Sequence, residues 1–209
     1  MRLTWFGNSA FRLDCGFAVY FDPYKARDSH DADIVLISHG HYDHLDPASI
    51  AAVSRDDTTV ICPNSCVQKV ESDAHGLSIG DAVSLGAVRI EAVASYNLEK
   101  TNHQADSCLG YVVEAEGKRV YHAGDTDNIP EMKDLGQIDV ALLPVGGTYT
   151  MDWREAADAV AKIKPKTVIP MHYGDVAGTL EDAVMFRNRV NSEKTAKAVI
   201  LKKGESIEI

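Results

Sequence analysis

Short apolar runs of strand length recur along the whole chain, separated by turn residues and a few stretches of helical periodicity, and the pattern predicts a mixed α/β protein. Phe11-Arg12-Leu13 and Phe17-Ala18-Val19-Tyr20-Phe21 flank Asp14-Cys15-Gly16 as the arms of a hairpin, the second arm stopping at Asp22-Pro23. Ile34-Val35-Leu36-Ile37 reads as a buried strand that ends at Ser38-His39-Gly40. Later, Tyr111-Val112-Val113-Glu114 and Arg119-Val120-Tyr121-His122 flank a second turn, Glu116-Gly117-Lys118, and the chain stops at Asp125 before Val140-Ala141-Leu142-Leu143 ends at Pro144-Val145-Gly146-Gly147. The two passages rhyme: hairpin, Asp-containing loop, then a buried strand that delivers a special loop. Two pseudo-repeated halves with both loops on one edge are therefore expected.

Helices are predicted where a cap and a 3.6-residue period agree. Asp152 as N-cap, with Glu155 three residues on, precedes the stripe Trp153, Ala156, Ala157, Val160 and Ile163, which Pro165 terminates. Asp46-Pro47 opens another helix with an acidic cap and proline at the first position, followed by Ile50, Ala51 and Val53. A third pattern runs from Thr179 through Leu180, Ala183, Val184 and Val190, and Ala198-Val199-Ile200-Leu201 and Ser206-Ile207-Glu208-Ile209 read as closing strands. No stretch reads as a linker, so residues 1–209 are expected to form one domain.

Composition narrows the class. The 45% hydrophobic and 25% charged content is that of an ordinary soluble globular protein, which excludes disorder over most of the length. The 21 Lys+Arg against 31 Asp+Glu leave a net charge of -10, which opposes the neutralisation of many phosphates, so no nucleic-acid partner is expected. No window approaches the roughly 20 apolar residues of a membrane span, and the first residues lack the apolar run of a leader. The expectation is a cytoplasmic protein with no membrane partner, with a homo-oligomer left open. Cys15, Cys62, Cys66 and Cys108 are scattered and read as reduced, buried thiols rather than a thiolate cage.

Chemistry concentrates in Ser38-His39-Gly40-His41-Tyr42-Asp43-His44-Leu45-Asp46, three imidazoles and two carboxylates between a buried strand and a capped helix. Imidazole nitrogens with carboxylate oxygens suit Zn²⁺, and also Mn²⁺ or Fe²⁺. On an extended stretch His39 and His41 project to one side, while Asp43 and His44 follow as the chain turns and aim at a second point, so one loop can serve two divalent ions. Such a pair needs further donors, and Asp125, His172 and His103 each follow a predicted strand. A carboxylate such as Asp125 suits a bridging position.

His39-Gly40-His41-Tyr42-Asp43-His44 resembles the HxHxDH signature of metallo-β-lactamase-fold hydrolases, and His122-Ala123-Gly124-Asp125-Thr126 and Met171-His172-Tyr173-Gly174 resemble its downstream metal motifs. Thr4-Trp5-Phe6-Gly7, Phe21-Asp22-Pro23 and Leu143 to Met151 extend the likeness nearly end to end, toward a compact branch similar to L-ascorbate-6-phosphate lactonases. The resemblance implies a four-layer αββα sandwich with the site at one edge. It implies that His39, His41 and a mid-chain histidine hold one metal, that Asp43, His44 and His172 hold the other, and that Asp125 lies between. Two departures stand out: Asn8 follows Gly7 where the family commonly has histidine, and Ser95-Tyr96-Asn97 ends the strand where the mid-chain ligand usually lies, so His103 must loop back. Asp22 is expected to hydrogen-bond the histidine loop or merely to start a turn; His122 to face the site or finish a strand; Tyr149 to reach a substrate oxygen or pack; His30 and His75 to be solvated.

The activity implied is hydrolysis by a water that two cations acidify, with Asp43 orienting it or taking a proton. The substrate expected first is an ester or lactone of a small metabolite, phosphorylated or not. A phosphodiester of a small molecule or lipid is the alternative, and a metal-binding or ligand-sensing protein without turnover is another.

Overall fold

The computed structural model describes residues 1–70 and 73–209. Fourteen strands follow in chain order: β1 (Arg2–Gly7), β2 (Ala10–Asp14), β3 (Ala18–Phe21), β4 (Ala32–Leu36), β5 (Ser54–Pro63), β6 (Ala74–Leu77), β7 (Ala82–Leu85), β8 (Val88–Ala94), β9 (Leu109–Ala115), β10 (Lys118–His122), β11 (Val140–Pro144), β12 (Thr167–Met171), β13 (Lys197–Ala198) and β14 (Ser206–Glu208). They form two seven-stranded sheets, ordered β14-β1-β2-β3-β4-β5-β6 and β13-β12-β11-β10-β9-β8-β7. The rhyme is structural: β1-β2-β3 pair antiparallel and β3-β4-β5-β6 parallel, as β8-β9-β10 pair antiparallel and β10-β11-β12-β13 parallel.

The period-two pattern of β4 sorts its side chains between two cores. Ile34 and Leu36 face the second sheet, in one apolar cluster with Phe21, Ile90, Tyr111 and Val113. Val35 and Ile37 face outward and pack with Tyr20, Cys62 and Cys66 beneath Ile50 and Val53 of α1 (Pro47–Val53), whose N-cap is Asp46. On the far side of the second sheet lie α2 (Trp153–Ile163) and α3 (Leu180–Glu193). Asp152 and Glu155 close a capping box on α2, and Lys164 ends it at a φ of 54° ahead of Pro165. The layers are therefore helix, sheet, sheet, helix.

Two expectations need correction. Leu180 is 60% exposed, because at the first helical position of α3 it overhangs the sheet, and the buried stripe is Ala183, Phe186 and Val190. Residues 198–201 do not continue a strand: Lys197–Ala198 pairs with β12 and the ladder stops after Val199 donates to the Val168 carbonyl. Thr167 donates toward β11 at the Asp139 carbonyl, so alternation assigns the next rung toward residue 199 to Pro170, which has no N–H. Ser54–Pro63, to which the pattern assigns no element, is a ten-residue strand whose first residues include the charged Arg55-Asp56-Asp57.

Hydrogen bonds lock the two sheets together along the edge where the parallel strands end. Tyr111 Oη donates to the Ile37 carbonyl at 2.8 Å, Leu109 N to the Ser38 carbonyl at 2.8 Å, and His172 N to the Asn8 carbonyl at 3.0 Å. Each ties a loop of the first sheet to the second. Replacing Tyr111 with Phe leaves the buried Ile37 carbonyl without this donor, and denaturant unfolding should show a loss of about 1–3 kcal/mol; unchanged stability would mean that the bond contributes nothing to the lock.

Candidate metal centre

The loop after β4 is fixed from behind by Asp22. At the end of β3 this residue takes a φ of 41°, a region Asp tolerates better than most side chains. Its buried carboxylate accepts from Ser38 N at 2.6 Å and Ser38 Oγ at 2.6 Å, and from His44 Nδ1 at 2.7 Å. His44 and Leu45 N–H groups both turn back on the His41 carbonyl, which swings Asp43 and His44 away from His39 and His41. Asn8 and His172 also have positive φ, 45° and 56°, and a Cβ on Gly146 would fall 2.5 Å from the His172 carbonyl, so only glycine fits under that histidine.

These backbones bring one atom of each candidate side chain to a common point. His39 Nε2 and His103 Nε2 lie 3.0 and 3.2 Å from His41 Nδ1. On the other side, His44 Nε2 and His172 Nε2 lie 3.3 and 3.5 Å from Asp43 Oδ2. Asp125 Oδ2 sits between the groups, 3.1 Å from His172 Nε2, 3.4 Å from His44 Nε2 and His103 Nε2, and 3.9 Å from His39 Nε2. Donor atoms fall into overlapping trios within 4.8 Å: His39, His41 and His103; His39, His44 and Asp125; Asp43, His44 and His172. All are buried except His41, which opens to solvent.

Second nitrogens set which atom faces inward. Nδ1 of His44 donates to Asp22, and Nδ1 of His103 faces Asn97 Oδ1 at 3.0 Å, while Ser38 Oγ lies 3.0 Å from His39 Nδ1, leaving Nε2 of each for the centre. His44 Nε2 and Asp125 Oδ1 are buried with no hydrogen-bond partner, the condition expected of groups shaped for a cation. Burial alone disfavours imidazolium, yet Asp125 and Asp22 hold the pKa of His44 well above its usual value, and Asp125 lifts His172 to about 9. Burial, reinforced by neighbouring His44, pushes His39 down, and burial lowers His103. Against the burial penalty, hydrogen bonds from His172 and His44 keep Asp43 anionic, and the charges of the same two rings keep Asp125 anionic. Two carboxylates and five imidazoles form a set whose donors divalent ions fit.

The sequence-picked residues His39, His41, Asp43, His44, His103, Asp125 and His172 thus converge. His103 reaches the centre because Asn97 anchors it: Asn97 Oδ1 accepts the His103 N–H at 3.1 Å, and the Asn97 N–H donates to the His103 carbonyl. Asn97 and Asp127 were missed as site residues. Asp127 binds Asn97 Nδ2, Leu98 N and Lys100 Nζ, and its only signal was its place two residues after Asp125. Asn8 Nδ2 donates to Asp43 Oδ2 at 2.9 Å. His122 is not in the cluster; it lies in the core, stacked on Phe21 with Nε2 2.9 Å from the Ser9 carbonyl. Tyr149 is 41% exposed and its carbonyl accepts from Asn97. His30 and His75 are exposed, and all four cysteines are free and buried. No helix among the described residues is long and apolar enough to cross a membrane.

Comparison with known proteins agrees with this geometry. A Beta-lactamase superfamily domain matches residues 2–172. A UPF0173 metal-dependent hydrolase of Archaeoglobus fulgidus is 31% identical over 229 residues, covering 100% of this chain and 99% of that one. Its counterpart in Methanopyrus kandleri is 34% identical over 233 residues, with 100% of each chain covered. Igni18, a metallo hydrolase from the hyperthermophilic archaeon Ignicoccus hospitalis, is similar at a TM-score of 0.84 and 29% identity, covering 100% of this chain and 98% of that one. Matched in sequence and fold along its length, the chain belongs to the metal-dependent hydrolases of the metallo-β-lactamase superfamily.

Proposed function

We propose that this hydrolase holds two divalent ions and cleaves an ester or lactone of a small metabolite. His39, His41 and His103 would hold one ion, Asp43, His44 and His172 the other, with Asp125 shared. The observation that carries the reading is the position of Asp125 Oδ2, within 3.9 Å of four imidazole nitrogens from three separate parts of the chain. Zn²⁺ suits these nitrogen and oxygen donors best, with Mn²⁺ or Fe²⁺ as alternatives. Bound there, such ions supply Lewis acidity and a water whose pKa falls to near neutrality.

The residues of the chain do the positioning. Asp43, steadied by the Asn8 amide, is placed to accept a hydrogen bond from the attacking water and orient it. The water oxygen joins the acyl carbon, the C–O bond breaks and a proton passes to the departing alkoxide. His41 marks the open side, from which substrate arrives. A phosphodiester fits the same donors and is the second reading, whereas the acidic balance of the chain opposes a nucleic-acid substrate.

The direct test is metal-dependent turnover across a panel of esters, lactones and phosphodiesters, with Asp125→Ala and His41→Ala alongside. Ester or lactone cleavage that a chelator abolishes, with less bound metal in both variants by elemental analysis, is the expected result; full metal content in either variant removes that residue from the ligand set. Metal-free protein should carry protons on His44 and His172 at pH 7, since both pKa values are raised and that of His172 lies at about 9. Neutral imidazole is the ligand, so metal binding should expel roughly two protons, and affinity should climb from pH 6 toward 9. Titration calorimetry in buffers of different ionisation enthalpy reads that number, and no buffer dependence would contradict it. Asp22→Asn, which removes the acceptor charge behind Ser38 and His44, should weaken metal affinity by about 10–100-fold in chelator competition. Wild-type affinity would show that the loop holds its shape without it.

A further inference from the structure

Three exposed side chains lie close in sequence to the residues that form or support the candidate metal centre. Tyr42 lies between His41 and Asp43 and is 66% exposed; Leu98, next to the Asn97 that anchors His103, is 57% exposed; Tyr149 is 41% exposed on the loop whose carbonyl Asn97 holds. Seven large apolar side chains are exposed among the described residues, and three of them lie on loops that each carry or support a candidate ligand. Half-buried Tyr24, from the loop that begins at Asp22, packs against Tyr42: its centroid is 6.1 Å from that of Tyr42 in an edge-to-face arrangement of 71°.

The nearby cations are mostly committed. Lys25 Nζ bonds Asp175 Oδ1 at 2.7 Å, and Lys100 Nζ bonds Asp127 Oδ1 at 2.8 Å and the Thr150 carbonyl at 3.1 Å. Lys69, whose Nζ would lie 3.0 Å from a Cβ on Gly40, has no carboxylate partner among the described residues. Lys25 Nζ also lies 4.6 Å from the Tyr24 ring centre. The exposed phenols and the leucine offer area to an apolar group, and of these three lysines only Lys69 is left to hold a phosphate.

We propose that Tyr24, Tyr42, Leu98 and Tyr149 form an apolar collar at the mouth of the centre, and that the substrates are esters or lactones bearing an aromatic or bulky aliphatic group beside the reacting carbonyl. The proposal rests on the hydrolase reading and adds the substrate class. An unphosphorylated acyl group lies across the collar while its carbonyl reaches the ligand cluster below.

Hydroxamates separate the two ideas, because acetohydroxamate, phenylacetohydroxamate and phosphonoacetohydroxamate share one chelating head and differ only in what the collar meets. Calorimetric titration of each into Zn²⁺-loaded protein should give phenylacetohydroxamate about tenfold tighter than acetohydroxamate, with the phosphono compound no tighter than acetohydroxamate. In Tyr42→Ala and Tyr149→Ala the phenyl-to-acetyl ratio should fall toward one, and kcat/KM for a phenyl-substituted lactone should fall about tenfold relative to the unsubstituted lactone. Equal affinities in the wild type, a phosphono compound that binds tightest through Lys69, or a ratio that survives both substitutions would overturn the collar. A phenyl preference that disappears in the variants while no ester or lactone is cleaved would uphold the apolar collar and overturn the ester or lactone reading alone.

Discussion

The site is organised by one electrostatic problem: a carboxylate buried at Asp125 with imidazoles crowded about it. Asp125 Oδ1 has no hydrogen-bond partner, while Oδ2 faces four ring nitrogens between 3.1 and 3.9 Å. Without an ion, the arrangement can be relieved only by placing protons on His44 and His172, against the penalty that burial imposes on charge. Divalent ions solve it differently, since they take up the lone pairs that these atoms point at one another.

The rest of the fold serves to hold that crowding in place. Sheet edges deliver the candidate ligands, but the decisive restraints are bonds between sheets: Tyr111 to Ile37, Leu109 to Ser38, His172 to Asn8. Asp22 then fixes the histidine loop through three donors, and Asn97 and Asp127 do the same for the loop that carries His103. Positive φ at Asn8, Asp22 and His172 stores strain at the points where the backbone must turn sharply to present a side chain. A stable double sheet absorbs that cost.

Much of this was legible along the chain, for identifiable reasons. Hairpins at Asp14-Cys15-Gly16 and Glu116-Gly117-Lys118 announced themselves because alternating residues flank turn formers, and the Asp46 and Asp152 caps because side-chain oxygens there satisfy helix N–H groups. The histidine loop was conspicuous by density alone. What local pattern could not supply was tertiary: the strand that runs through Arg55-Asp56-Asp57 is defined by Val60 and Ile61 pairing with β4, and Pro170 ends the β13 ladder through an N–H that is absent. The return of His103 depends on Asn97 accepting both its backbone and ring N–H groups, a pairing across six residues that no periodicity encodes. His122 shows the converse, a histidine beside a metal motif that belongs to the core.

The central claim is that seven side chains enclose two ions with Asp125 between them. Anomalous diffraction at the zinc edge, from crystals grown with Zn²⁺, tests it most directly. The account predicts two peaks, one against His39, His41 and His103 and one against Asp43, His44 and His172, each also bordering Asp125. A single peak, or zinc held elsewhere on the chain with these side chains turned away, would contradict it.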